Sequence, residues 1–169
     1  MKLGDVVDSL QTLGLTDEDV MQGKYLTFNV GYGEYGIEIN YVTEIIGVQE
    51  ITPIPHTFDY VKGIINLRGT IVPIIDMRLR FGLDENEYTE RTCIIVLSMG
   101  SVIIGLIVDE VQEVLDIDDE SIQKPPASIG GTVQHSSQFI KAIGLHAESV
   151  KQLLDVNVIF EVDDENAPA

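Results

Sequence analysis

The sequence predicts a mainly β protein, two small β-barrels of about five strands each packed on a shared core. A worn internal repeat, period-two alternation of apolar residues and closely spaced turn residues all lead there. The segment Tyr60-Val61-Lys62-Gly63-Ile64-Ile65-Asn66-Leu67-Arg68-Gly69 runs on through Val72-Pro73-Ile74-Ile75-Asp76 to Phe81. It returns as Phe139-Ile140-Lys141-Ala142-Ile143 through Leu153-Leu154-Asp155 to Phe160; 139 − 60, 155 − 76 and 160 − 81 all give 79. Upstream, Gly36-Ile37, Val42 and Glu44-Ile45-Ile46 return as Gly105-Leu106, Val111 and Glu113-Val114-Leu115, and 105 − 36 gives 69. A unit of this length repeated in strand pattern is two similar β modules.

The elements follow in order. Leu3, Val6, Val7, Leu10 and Leu13 fall at helical spacing until Gly14, and Thr16-Asp17-Glu18-Asp19 opens another helical turn before Gly23. Residues 1–23 are therefore expected to be a helical leader outside the repeat. Strands are expected over Tyr25–Val30 and Tyr35–Ile39, and again from Ile45 to Ile51, where Pro53 and Pro55 break the run. Gly63–Leu67 and Thr70–Ile75 flank a two-residue hairpin turn, Arg68-Gly69, with glycine supplying positive φ. Met77–Phe81 makes one helical turn that Gly82 stops. After the acidic connector (Asp84, Glu85, Glu87, Glu90) come strands near 92–98, 102–108, 111–117, 138–145 and 149–155. The repeat domain spans 24–161, the first barrel about 25–90 and the second about 91–161, with strand exchange at that boundary left open. Residues 162–169 are expected to be an acidic, disordered tail.

Composition bounds the function. Ten Lys+Arg against 28 Asp+Glu give a formal charge of −18 over 169 residues. That field repels phosphate backbones, so nucleic acid is not an expected partner. Cys93 has no second cysteine to pair with and sits in the apolar run Cys93-Ile94-Ile95-Val96-Leu97, which reads as a buried small hydrophobe. The N-terminus lacks the pattern of a secretory signal, and no uncharged apolar run approaches the roughly 18 residues that span a bilayer. A soluble, cytoplasmic protein is expected.

No chemistry-bearing constellation survives inspection. Gly31-Tyr32-Gly33-Glu34-Tyr35-Gly36 matches G-x-G-x-x-G, but Ile37-Glu38-Ile39 continues with strand period instead of opening a helix, so no dinucleotide is expected. His56, His135 and His146 have no metal-ligand spacing with one another or with Cys93. There is no nucleophile elbow or phosphate-binding loop. We expect no enzyme, no cofactor and no metal. What remains is a surface. Four of the ten cations (Lys62, Arg68, Arg78, Arg80) fall between 62 and 80, and Arg68 stands at a hairpin tip. Its counterpart in the second copy is Ala147, with Glu148 in place of Gly69, whereas Ile64/Ile143, Ile74/Leu153, Asp76/Asp155 and Phe81/Phe160 persist in type. Fold requires the persistent positions; the tip answers to something else, and Arg is a favoured interface anchor.

Tyr35-Gly36-Ile37-Glu38-Ile39, Val42-x-Glu44-Ile45, Gly63 through Gly69, Val72-Pro73-Ile74-Ile75-Asp76-Met77-Arg78 and Gly105-Leu106-Ile107-Val108-Asp109-x-Val111 together resemble the CheW family of chemotaxis coupling proteins. The similarity runs in unbroken order over roughly residues 24 to 160. It implies two five-stranded SH3-like barrels, and a non-catalytic adaptor joining chemoreceptor cytoplasmic tips to the regulatory domain of a CheA-type histidine kinase. The adaptor would be cytoplasmic, recruited to membrane-associated receptor arrays without membrane insertion. Carried over, Val42, Glu44, Gly63, Arg68, Val111 and Val114 are the expected receptor-side contacts, and Ile37, Ile39 and Ile51 the expected kinase-side contacts. The last third departs from the family pattern: Ala142 stands where Gly is usual, and Lys151 and Gln152 where apolar residues are common. Two other readings stand beside this one: a coupler in a pathway other than motility, and a small-ligand-binding barrel.

Overall fold

The structure, a computed structural model, describes residues 22–125 and 138–160. The leader before Gln22 and the tail expected over 162–169 lie outside the described residues. The fold is mainly β, two SH3-like barrel subdomains. In chain order the elements are β1 (Lys24–Val30), β2 (Gly33–Glu38), β3 (Val42–Gly47), β4 (Val61–Leu67), β5 (Thr70–Asp76), the short helix α1 (Met77–Arg80), β6 (Cys93–Met99), β7 (Val102–Val108), β8 (Glu110–Asp116), β9 (Ile122–Gln123), β10 (Ile140–His146), β11 (Ser149–Leu154) and α2 (Val156–Phe160). The glycine motif is a hairpin: Val30 pairs with Gly33 across the Gly31-Tyr32 turn, and β2 runs on through Gly36.

One strand is displaced from expectation. β3 occupies Val42–Gly47 instead of 45–51, because its partner sets its length: Val42 faces Leu97 and Gly47 faces Cys93, where β6 begins. Ile39, expected to end β2, lies in a 3-10 turn over Ile39–Tyr41 that aims the chain into β3.

The two repeats exchange strands reciprocally. One sheet has the order β3-β6-β7-β5-β4, the other β8-β1-β2-β11-β10-β9. The first barrel thus takes β6 and β7 from the second repeat, and the second barrel takes β1 and β2 from the first. Parallel joints do the stitching: β5 lies on β7 with Ile74 opposite Gly105, and β11 lies on β2 with Leu153 opposite Gly36. The recurring glycine belongs to these joints. A Cβ on Gly105 would come within 2.6 Å of the Ile74 side chain, and one on Gly36 within 3.0 Å of Leu153.

Between the barrels lies the largest core, including Leu26, Phe28, Ile37, Ile39, Val42, Ile95, Leu97, Ile104, Leu106 and Val111. An aromatic chain threads it, from Phe28 to Tyr35 to Phe81 to Phe139, with ring centroids 6.1, 4.8 and 5.6 Å apart. Each helical turn is capped by its aspartate, as the repeat predicts. The Asp76 carboxylate accepts from the Arg78 N–H at 2.9 Å, and Asp155 accepts from the Asn157 N–H at 3.0 Å. The two aspartates also repeat a backbone bond, to the Tyr60 and Phe139 carbonyls at 2.8 Å in both cases. Asp76 is buried, which pushes its carboxyl up from the ordinary value against the pull of its backbone donors.

The barrel interiors differ in chemistry. The first is aliphatic: Ile65, Val72, Ile74, Ile94, Val96 and Ile107. The second packs Tyr25, Leu115, Ile117 and Leu153, but at the position matching Val72 it buries Lys151. The Lys151 ammonium donates to Glu34 at 3.1 Å and to Gln112 at 3.3 Å. A buried ammonium is tolerable only with such partners.

Two outcomes test this packing. Gly63 has φ of +145°, and a Cβ there would stand 2.0 Å from the Thr52 carbonyl oxygen, where Thr52 bridges Ile64. Gly63→Ala is expected to lose at least about 2 kcal/mol in urea unfolding; a loss near zero would show that this bridge is dispensable. Burial pushes the Cys93 thiol up to about 12. A thiol reagent at pH 8 should therefore label the unfolded chain and leave the native one unmodified.

Candidate partner-binding surface

The four cations between 62 and 80 look alike in the sequence; the structure assigns them separate tasks. Lys62 pairs with Glu85 of the connector. Arg78 on α1 donates to Asp109 at 3.2 Å, and the same carboxylate oxygen accepts the Gly31 N–H at 2.8 Å, tying α1 to the β1–β2 turn and the β7–β8 corner. Arg80 lies between the barrels. Its guanidinium carbon sits 4.3 Å from the Tyr60 ring centroid and 4.7 Å from that of Phe139, which are matching positions of the two repeats. Its Nε donates to the Ile159 carbonyl at 3.1 Å, at the C-terminal end of α2 where a cation complements the helix dipole. These three serve the fold.

Arg68 is different. Its side chain is 71% exposed, against 25% for Lys62 and 20% for Arg78. Leu67 pairs with Thr70, so the turn has two residues, and both take positive φ: 51° at Arg68 and 88° at Gly69. Gly69 supplies positive φ as expected and Arg68 adopts it as well, so the turn is of the I′ kind that suits a twisted hairpin. The Asn66 side chain accepts the Gly69 N–H at 2.8 Å and closes the tip. One guanidinium nitrogen of Arg68 donates to Glu44 on β3. β3 and β4 are the two ends of their sheet order, so this pair links its edges. The second tip keeps the positive φ at Ala147 (54°) but carries neither the cation nor the glycine.

Of the residues expected to face a receptor, Glu44 and Arg68 are brought together at the surface. Val114 is half-buried against the inter-barrel core, and Val42 and Val111 lie inside that core. Gly63 is buried beneath Thr52. Of those expected to face the kinase, Ile37 and Ile39 have no exposed surface, since both hold the inter-barrel core, while Ile51 is half-buried on the first barrel. Exposed apolar side chains that sequence reasoning passed over stand elsewhere: Ile71 beside the Arg68 turn, Leu145 and Val150 facing each other across β10 and β11, and Tyr32 at the β1–β2 turn. An apolar residue on the outer face of a short strand looks in sequence like a core residue, which hides Ile71, Leu145 and Val150. Among the described residues no group of three or more His, Cys, Asp or Glu side chains could hold a metal ion, and no helix is long and apolar enough to cross a membrane.

Comparison with known proteins places this architecture. The model of the CheW-like domain matches residues 24–164. The chemotaxis protein CheW of Klebsiella aerogenes is 37% identical over 150 residues, covering 89% of this chain and 88% of that protein. Its counterpart in Bacillus subtilis is 31% identical over 138 residues, covering 82% of this chain and 86% of that one. Among solved structures, the scaffolding protein TtCheW of Thermoanaerobacter tengcongensis superposes with a TM-score of 0.75 at 33% identity, over 83% of this chain and 94% of that one. With a domain model matching most of its length and relatives of this identity along nearly their whole chains, the protein belongs to the CheW family.

Proposed function

We propose that the protein is a non-catalytic adaptor of chemotaxis, coupling the cytoplasmic tips of chemoreceptors to a CheA-type histidine kinase. Family membership supports the adaptor role, and relatives along most of the chain are named as chemotaxis proteins. The observation that carries the receptor side is the Arg68 tip, an exposed guanidinium on a rigid two-residue turn, held on one side by Glu44 and open on the others. A guanidinium so placed suits an acidic or carbonyl-rich face of a helical hairpin. Glu44 orients it, Val114 adds apolar surface, and Val42, Gly63 and Val111 shape that surface from beneath. Ile51, the half-buried member of the kinase-side set, is where the first barrel meets the kinase regulatory domain. The adaptor works in the cytoplasm, recruited to receptor arrays.

Arg68→Ala is expected to weaken binding of a soluble receptor-tip fragment about thirtyfold, roughly 2 kcal/mol. An unchanged dissociation constant in calorimetry would remove Arg68 from the site. Ala147→Arg on that background should restore nothing, since Glu148 stands at the second tip where the first has its flanking glycine.

Glu44→Gln separates orientation from charge. With the guanidinium released from β3, binding should fall about threefold, the scale of one exposed ion pair. The double variant with Arg68→Ala should bind no worse than Arg68→Ala alone. A gain in affinity for Glu44→Gln would mean that Glu44 competes with the receptor for Arg68.

A further inference from the structure

Beside the β1–β2 turn, in the second barrel, lies an open hollow of about 570 Å³ whose lining includes Asn29, Tyr32, Glu34, Ile143, Val150 and Gln152. The same place on the first barrel has a different character. The counterparts of Glu34, Val150 and Gln152 are Ile103, Ile71 and Pro73, with no charged group among them. A shared fold does not account for the polar version.

Its floor is a charge placed with care. Glu34 has a side chain 40% exposed, while Lys151, the cation that holds it, is 6% exposed and does not line the hollow. The hydrogen bond from Lys151 holds the Glu34 carboxyl below its ordinary value, so it stays ionised. The ion pair is therefore a dipole whose negative end faces outward. Around it stand Val150, about half exposed, Ile143, and at the rim Tyr32, which is fully exposed. A carboxylate, an amide, an aromatic ring and aliphatic walls together suit one kind of side chain. A guanidinium bonds the carboxylate and stacks on the ring, while its methylene stem covers the walls. The field of a −18 protein draws such a group in.

We propose that this hollow is a socket for an arginine side chain presented by a partner protein. It gives the second barrel a docking point of its own, independent of the receptor reading of Arg68.

The test is a titration of the isotope-labelled full chain, followed by amide chemical shifts, with N-acetyl-arginine amide and, as control, N-acetyl-norleucine amide. The arginine probe should give saturable shifts concentrated at residues 29–34 and 150–152, and the norleucine probe much smaller ones. Tyr32→Ala, which removes an exposed side chain and so leaves the fold intact, should weaken the arginine probe about threefold. Replacing the pair by Glu34→Gln with Lys151→Met, which leaves no buried charge alone, should abolish saturation. Equal shifts with both probes would make the hollow merely apolar and overturn the proposal. So would arginine shifts scattered over the acidic surface without saturation, or a Tyr32→Ala variant that titrates like the parent.

Discussion

Neither sheet of this protein can be completed from one repeat, and most of the structure follows from that constraint. The first barrel needs β6 and β7, the second needs β1 and β2, and each parallel joint is made between strands of different repeats. Strands shared in this way turn one face toward their own barrel and the other toward the neighbour. On β7, Ile107 packs inside the first barrel while Ile104, Leu106 and Val108 pack between the barrels. Each exchanged strand serves two cores, so the barrels should fold and unfold together. The largest apolar cluster accordingly lies between the barrels and not inside either one.

The sequence made the repeat legible because the fold uses each preserved residue twice. Asp76 and Asp155 cap equivalent helical turns, Gly36 and Gly105 lie under equivalent parallel joints, and Tyr60 and Phe139 stack on one arginine. The exchange itself left no such mark, since pairing partners far apart in sequence carry no period. For the same reason the start of β3 was misplaced: its length is set by β6, about fifty residues away, and local pattern could not supply it. Burial at the site was also hidden. Ile37 and Ile39 alternate like residues on a half-exposed strand, yet the second barrel's neighbour covers their outer side, which only the tertiary arrangement reveals.

The departures from symmetry sort themselves by whether the fold compensates them. Lys151 replaces an aliphatic interior position, and its cost is met within the chain by Glu34 and Gln112. Ala142 replaces the glycine of the first copy; there the neighbouring strand is β9, which pairs with Ile143 and Gly144, and the Ala142 side chain packs against the interior of the second barrel. Arg78 and Arg80 have no basic counterparts, since Asn157 and Ile159 occupy the matching positions, but both are bonded into the joint between elements.

Arg68 has no such internal justification. A residue with a side chain held at φ of 51° gives up about 1 kcal/mol or more relative to glycine in the same turn. The exposed pair with Glu44 returns at most about that much, since solvent screens it and both side chains lose rotamer freedom. Ala147 occupies the matching backbone conformation with no ion pair at all, so the turn does not require the cation. On this balance the fold gains nothing from arginine at position 68. We propose that its benefit lies outside the chain, since a guanidinium standing exposed on a rigid turn is in a form that a partner can use.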